Sequence, residues 1–305
     1  MYAPPRSSSV VRKVTVPDVR ARKGSGEKIA MVTAYDYTMA RLVDEAGVDM
    51  VLVGDSLGMV VQGLSTTIPV TLEEMAYHCR AVARGLGRAH LVGDLPFMSY
   101  QVSPAQAVES SGRLMKEGAC ESVKLEGGQE IAEHVMRIVR AGIPVVGHVG
   151  LTPQSVHALG GFKVQGRGAG AEKVVEDALA LEQAGAFCIV LEAIPPDVAA
   201  RITEVVSIPT IGIGAGNACD GQVLVSTDLL GLSRGHVPKF AKQFADLGQQ
   251  AVDAIGEYVR EVRSGAFPAS AHTYKPNATS RADGPAREPA AHDDLDAPLA
   301  LDLWH

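Results

Sequence analysis

The chain is poor in aromatic residues, with 5% overall and a single tryptophan, too few for the stacking platforms that single-stranded nucleic acids require. It also lacks a basic excess. Its 28 Lys and Arg stand against 35 Asp and Glu, a formal charge of −7, so no nucleic-acid face is expected. No apolar run reaches the about 18 residues that suggest a membrane span, and no membrane partner is expected. The opening MYAPPRSSSVVRK has no apolar signal core, which leads to the expectation of a cytoplasmic protein. Cysteine is scarce as well. Cys79, Cys120, Cys188 and Cys219 form no C-x-x-C pair, so neither a zinc knuckle nor a redox pair is indicated. They read as small buried hydrophobes in a reducing compartment. Asn277-Ala278-Thr279 matches a glycosylation acceptor, inert in a chain that is not secreted.

What is present suits a large soluble core. The chain has 305 residues, 46% of them hydrophobic, enough to fold without disulfides or metal staples. Both ends differ from the middle. Residues 1–24, rich in Ser, Pro and Arg, are expected to be an N-terminal extension with a short helix around 17–22. Residues 269–305 turn to Ala, Pro, Asp and polar residues and are expected to be a disordered or loosely docked tail. The end of that tail, 299–304, carries the tryptophan and reads as a dangling end. Between them, residues 25–268 alternate short Val- and Ile-rich runs with helical periodicity. The runs are 28–34, 48–54, 89–95, 120–126, 143–149, 186–192, 208–214 and 222–225, as expected of strands buried on both faces. Helices are expected at 71–85, 103–118, 128–141, 171–184 and 195–206. Ser103-Pro104 and Thr71-Leu72-Glu73-Glu74 read as helix starts, and Gly118 and Gly185 as helix stops. The pattern predicts an α/β fold, a single-domain (β/α)8 TIM barrel. An open doubly wound sheet is the alternative, and the number eight favours closure.

In such a barrel the active site forms where strands run into the following loops. The second run ends in Asp55-Ser56, the third in Asp94, the fourth in Lys124 and Glu126, the fifth in His148 and the sixth in Glu192. Lys124 and Glu126 are two apart and share one side of a strand. Singly, each position suits a helix cap or a solvated loop. Together they do not, because Glu126 and Glu192 end near-continuous apolar runs, where charge is costly unless paired or metal-bound. Four carboxylates and one ammonium at one mouth suggest a divalent cation. An oxygen donor set without a Cys cluster or His-x-x-x-His spacing points to Mg²⁺. Mg²⁺ takes one or two protein carboxylates and leaves positions for a chelating substrate such as a 2-oxo acid. Chelation would acidify the carbon beside the carbonyl. For His148, packing and substrate binding both stand. Gly212-Ile213-Gly214-Ala215-Gly216 is not a dinucleotide fingerprint, since Asn217 stands where the last glycine belongs. A tight turn, close approach of a flat ligand and a phosphate site all remain open for it. The glycine-rich stretch 160–168 has no Walker lysine and suits a lid over the mouth.

Longer blocks carry a resemblance. They are Thr33-Ala34-Tyr35-Asp36, Gly54-Asp55-Ser56-Leu57-Gly58, Gly93-Asp94-Leu95-Pro96-Phe97 and Val123-Lys124-Leu125-Glu126-Gly127-Gly128. Further along come Gly147-His148-Val149-Gly150-Leu151-Thr152-Pro153-Gln154, Leu191-Glu192-Ala193-Ile194-Pro195, Gly212 to Gly216, and Asp220-Gly221-Gln222-Val223-Leu224-Val225. Over roughly residues 12–265 the chain resembles the ketopantoate hydroxymethyltransferase family. The resemblance implies a Mg²⁺-dependent transfer of a hydroxymethyl group from the co-substrate 5,10-methylenetetrahydrofolate to 3-methyl-2-oxobutanoate. The products would be 2-dehydropantoate and tetrahydrofolate, in pantothenate synthesis. It further implies that Asp55 and Asp94 bind the metal, with Glu126 as ligand or partner through water. Ser56 and Lys124 would hold the oxo acid beside Asp55 and Asp94, and Glu192 would act as base. A homo-oligomer, a decamer of two pentameric rings, is implied too. A lyase or phosphonomutase of the related oxo-acid barrels would usually carry a cysteine in a lid loop, and none lies near 160–168. A binding protein that had lost catalysis would lack Glu192 or a metal carboxylate, and all are present.

Overall fold

Eight parallel strands pair in chain order, and β1 (Ile29–Thr33) closes on β8 (Gly221–Leu224), so the sheet is a closed barrel rather than an open one. The structure is a computed structural model that describes residues 12–235 and 237–274. The expectations for residues 1–11 and for the tail beyond 274, with Asn277 and Trp304, lie outside the described residues. After α1 (Val16–Ala21) and β1 come α2 (Tyr37–Glu45), β2 (Met50–Val53), α3 (Leu57–Val60) and α4 (Leu72–Ala83). The middle of the chain supplies β3 (His90–Asp94), α5 (Pro104–Glu117), β4 (Ser122–Glu126), α6 (Ala132–Arg140) and β5 (Val145–Gly150). There follow α7 (Val156–Leu159), α8 (Gly170–Gln183), β6 (Cys188–Glu192), α9 (Pro196–Val205), β7 (Thr210–Ile213), β8 and α10 (Ser226–Leu229). The eight expected strands and the five expected helices are all among them.

The helix starts read from sequence hold in detail. Ser103 accepts the Gln106 N–H at 3.2 Å ahead of Pro104, and Thr71 and Glu74 form a reciprocal cap. Strand parity then sorts the side chains. Val51, Val53, Leu91, Val123, Leu125, Ile189 and Leu191 face the helices and join one large apolar cluster. The alternate residues Met31, Met50, Leu52, Val92, Val146, Cys188, Val190, Ile211 and Val223 fill the barrel interior. All four cysteines are buried free thiols, as expected.

The short helix expected near 17–22 is α1, and its role was not visible in the sequence. Val19 is 1% exposed and joins the interior cluster, so α1 closes the N-terminal end of the barrel. Beneath that end His90 Nε2 lies 2.9 Å from Ser122 Oγ, with the Phe187 ring set edge-on.

The helix α11 (Leu247–Ser264) was not anticipated. The chain divides into two units between Val252 and Asp253. In the second unit the chain turns at Gly265, and the Phe267 ring meets those of Tyr258 and His272 at 5.5 and 5.2 Å. Ile255, Tyr258 and Val262 are exposed along α11.

Candidate active site

Interior parity carries the charged residues with it. Asp94 follows Val92 by two on β3, Lys124 and Glu126 follow Ser122 on β4, His148 follows Val146 on β5, and Glu192 follows Val190 on β6. Each therefore points inward at the C-terminal end of its strand. Register aligns them: Asp94 pairs with Lys124 and Glu126 with His148. Lys124 Nζ lies 2.9 Å from Asp94 Oδ1 and 3.8 Å from Glu126 Oε1. His148 Nδ1 lies 3.5 Å from Glu126 Oε1 and 3.3 Å from Lys124 Nζ, while Nε2 lies 3.3 Å from Glu192 Oε2. Asp55, just past β2, joins through its backbone, whose N–H donates to Asp94 Oδ2 at 3.2 Å. Ser56 is beside it, its Oγ 2.9 Å from the Tyr35 hydroxyl. All six ionisable strand-end groups read from the sequence thus converge, and His148 bridges Glu126 and Glu192 rather than only packing.

Burial sets the electrostatics. It raises the Asp55 carboxyl well above its ordinary value, and the charges of Asp94 and Glu126 raise it further. Asp94 is also raised, by burial first, although Lys124 opposes the shift. Burial alone would discharge Lys124, but Asp94, Glu126 and Asp55 outweigh it and hold the ammonium charged. Burial and Lys124 likewise oppose a charge on His148, yet Glu126 and Glu192 push it up to about 9. Glu126 is held low despite burial, by His148 and Lys124. Asp94 Oδ1 and His148 Nε2 remain buried with no hydrogen bond, since their charged neighbours stand off the bonding direction. Each keeps its charged partner, at 2.9 and 3.3 Å, so it is compensated by charge rather than by an aligned hydrogen bond.

Gln154, to which the sequence reading gave no role, is the hub of the cluster. Its Nε2 donates to Asp55 Oδ2 and Leu95 O, each at 2.9 Å, and its N–H donates to Glu126 Oε2 at 3.0 Å. Its Oε1 accepts from the Tyr100 hydroxyl at 2.8 Å, and that hydroxyl accepts the Glu126 N–H at 3.1 Å. The only available signal was a glutamine after Pro153 in a block adjoining a strand end.

Among the described residues no group of three or more His, Cys, Asp or Glu side chains could hold a metal by itself. A buried all-oxygen pair, Asp55 and Asp94, is nevertheless present, with four carboxylates against one ammonium and one imidazolium. The glycine-rich 212–216 forms a tight turn, with φ of +64° at Gly214 and +80° at Gly216. The expected lid, 160–168, is tied to the site by one bond, from the Gln165 N–H to Ala193 O at 2.9 Å.

A closed parallel barrel with ionisable groups gathered inside its C-terminal mouth has the form of a (β/α)8-barrel enzyme. The family model for ketopantoate hydroxymethyltransferase matches residues 13–270. A 3-methyl-2-oxobutanoate hydroxymethyltransferase of Anaeromyxobacter sp. (strain Fw109-5) is 58% identical over 268 residues, 86% of this chain and 88% of that one. One of Syntrophus aciditrophicus (strain SB) is 55% identical, covering 86% of this chain and 97% of its own. In fold, a phosphonopyruvate hydrolase in complex with oxalate and Mg²⁺ is similar with a TM-score of 0.55 at 14% identity, over 85% of this chain and 93% of that one. The chain belongs to the ketopantoate hydroxymethyltransferase family and is an enzyme of the transferase class. No helix among the described residues is long and apolar enough to cross a membrane.

Proposed function

We propose that this enzyme transfers a hydroxymethyl group from 5,10-methylenetetrahydrofolate to 3-methyl-2-oxobutanoate, giving 2-dehydropantoate and tetrahydrofolate for pantothenate synthesis. Residues 25–268 are its catalytic domain, a span enclosed by the family match, and the cytoplasm is its compartment. The observation that carries the reading is the cluster of buried Asp55, Asp94, Lys124, Glu126 and His148 with the partly exposed Glu192. The oxygen pair of Asp55 and Asp94, both raised by burial and by neighbouring carboxylates, fits Mg²⁺, which takes one or two carboxylates and keeps the rest of its shell for water and substrate. Asp55 and Asp94 would hold it, with Glu126 as a ligand or as a partner through water. Bound there, the ion would polarise the oxo acid and ease loss of its C3 proton.

The chain's own groups supply the rest. Lys124 neutralises the substrate carboxylate or the developing enolate, and Ser56, steadied by Tyr35, donates to the oxo acid. Glu192 takes the C3 proton. Its side chain is 17% exposed, the most open of the cluster's paired carboxylates, and the His148 imidazolium orients it. Overall, a bond forms between C3 and the donated carbon, and the two C–N bonds that hold this carbon on the folate break. One water is taken up. Its oxygen becomes the product hydroxyl, and the C3 proton and one water proton replace the broken bonds on nitrogen. The oxalate of the phosphonopyruvate hydrolase complex is a two-oxygen chelator, as a 2-oxo acid is. The assembly is a homo-oligomer, a decamer by family resemblance, and the exposed apolar residues of α11 suit a contact between copies.

Incubation with 3-methyl-2-oxobutanoate and Mg²⁺ in D₂O tests metal, oxo acid and base without folate. The C3 proton signal should fade in NMR spectra. Glu192→Gln should keep oxo-acid binding and lose the exchange; exchange at the unaltered rate would remove Glu192 from the base role.

A further inference from the structure

The segment that follows α10 has two features with no part in proton removal. The first is Phe240. Gly214, just beyond β7, has φ of +64°, and a Cβ there would lie 2.8 Å from Phe240 Cδ1 and 3.1 Å from Cγ. The ring therefore rests on bare backbone, an approach that only glycine permits. This backbone adjoins the strand end that carries Glu192. Glu192 pairs with Ile213 across β6 and β7, and the Ala193 N–H donates to Ile213 O at 2.8 Å. Although packed in this way, Phe240 is 39% exposed.

The second feature is charge. Between Ser233 and Phe244 the chain carries Arg234, Lys239 and Lys242 and no carboxylate, against an overall charge of −7. Lys239 and Lys242 are exposed, and the described residues give neither an ion pair. Lys242 Nζ stands 4.6 Å from the centre of the Phe244 ring.

We propose that Phe240, seated on Gly214, together with Lys239 and Lys242 binds the reduced folate donor. The assignment rests on the transfer reading above and extends it to residues. A reduced folate combines flat rings with a tail of glutamate carboxylates. An exposed aromatic ring offers the first a stacking surface, and unpaired ammonium groups attract the second. The placement also meets the demand of the reaction, because the donated carbon must reach C3 from beside the group that removes its proton.

Calorimetry of the full chain with tetrahydrofolate and Mg²⁺, joined to steady-state kinetics, tests the assignment. Phe240→Ala should weaken tetrahydrofolate binding and raise KM for 5,10-methylenetetrahydrofolate at least tenfold, with KM for the oxo acid unmoved. Phe240→Tyr, which keeps a ring, should stay within about twofold of the unaltered protein. The double variant Lys239→Ala/Lys242→Ala should lose the preference for tetraglutamyl over monoglutamyl tetrahydrofolate. Unchanged tetrahydrofolate affinity in Phe240→Ala overturns the site. So does a matching loss of C3–H exchange, which takes no folate and would mark the ring as a prop for the Glu192 strand end. Exchange by the unaltered protein without any tetrahydrofolate binding overturns the donor reading itself and this site with it.

Discussion

Gln154 shows how a neutral side chain governs charged ones. One amide reaches Asp55, Leu95 and Tyr100, while the same residue's backbone holds Glu126. Asp55 follows β2 and Glu126 ends β4, and Gln154 bonds to both. Replacing it by leucine would take the Gln154 donor from the buried Asp55 Oδ2, a cost of about 1–3 kcal/mol, while the Tyr100 hydroxyl would keep the Glu126 carbonyl at 2.9 Å. Gln154→Leu and Asp94→Ala should both weaken Mg²⁺ binding in calorimetric titrations, Asp94→Ala more severely. An unaltered Mg²⁺ titration for Asp94→Ala would take Asp94 out of the metal site. The sequence exposed the carboxylates and hid the amide for a physical reason. A charge at the end of an apolar strand is costly and demands a partner, whereas a glutamine after a proline looks like any turn residue. Phe240 was hidden in the same way, since only the folded chain brings it onto Gly214.

Among the elements, α2 is fastened by Asp44. Its carboxylate accepts the N–H groups of Ala89 at 2.7 Å and of Gly87 and Arg88 at 2.9 Å, which positions the chain just before β3. Burial would raise the Asp44 carboxyl, but these three donors prevail and hold it below its ordinary 3.8. A group depressed in the folded state stabilises above its unfolded pKa and loses that contribution as pH falls through the folded one. Asp44→Ala should cost about 2 kcal/mol near neutral pH. In urea unfolding the difference from the unaltered protein should shrink below about pH 4, and a gap that stays constant with pH would rule out the carboxylate as its source. The strands and five large helices were legible because each buries an apolar stripe or run. α2 buries only Ala40 and Val43, and α11 buries only Gly248 among its described residues, so the burial pattern that reveals the others had little to act on.

At the scale of the molecule, closure of β1 on β8 completes a barrel of eight parallel strands, most of them buried on both faces and linked by helices. Assembly does not follow from that logic. Ile255, Tyr258 and Val262 spend apolar surface on solvent in one copy, which association of copies would recover. Ile255→Glu combined with Tyr258→Glu should therefore lower the sedimentation coefficient, and an unchanged value would place the contact elsewhere. The four carboxylates of the site also give the formal charge of −7 a location, since part of the acidic excess lies inside the barrel rather than on its surface.

Val19 has a consequence for traffic. With α1 set as a floor, the reaction chamber is a blind well with one door. Whatever docks on Lys124 and Asp94 therefore enters and leaves through the C-terminal mouth, the same opening that serves Glu192.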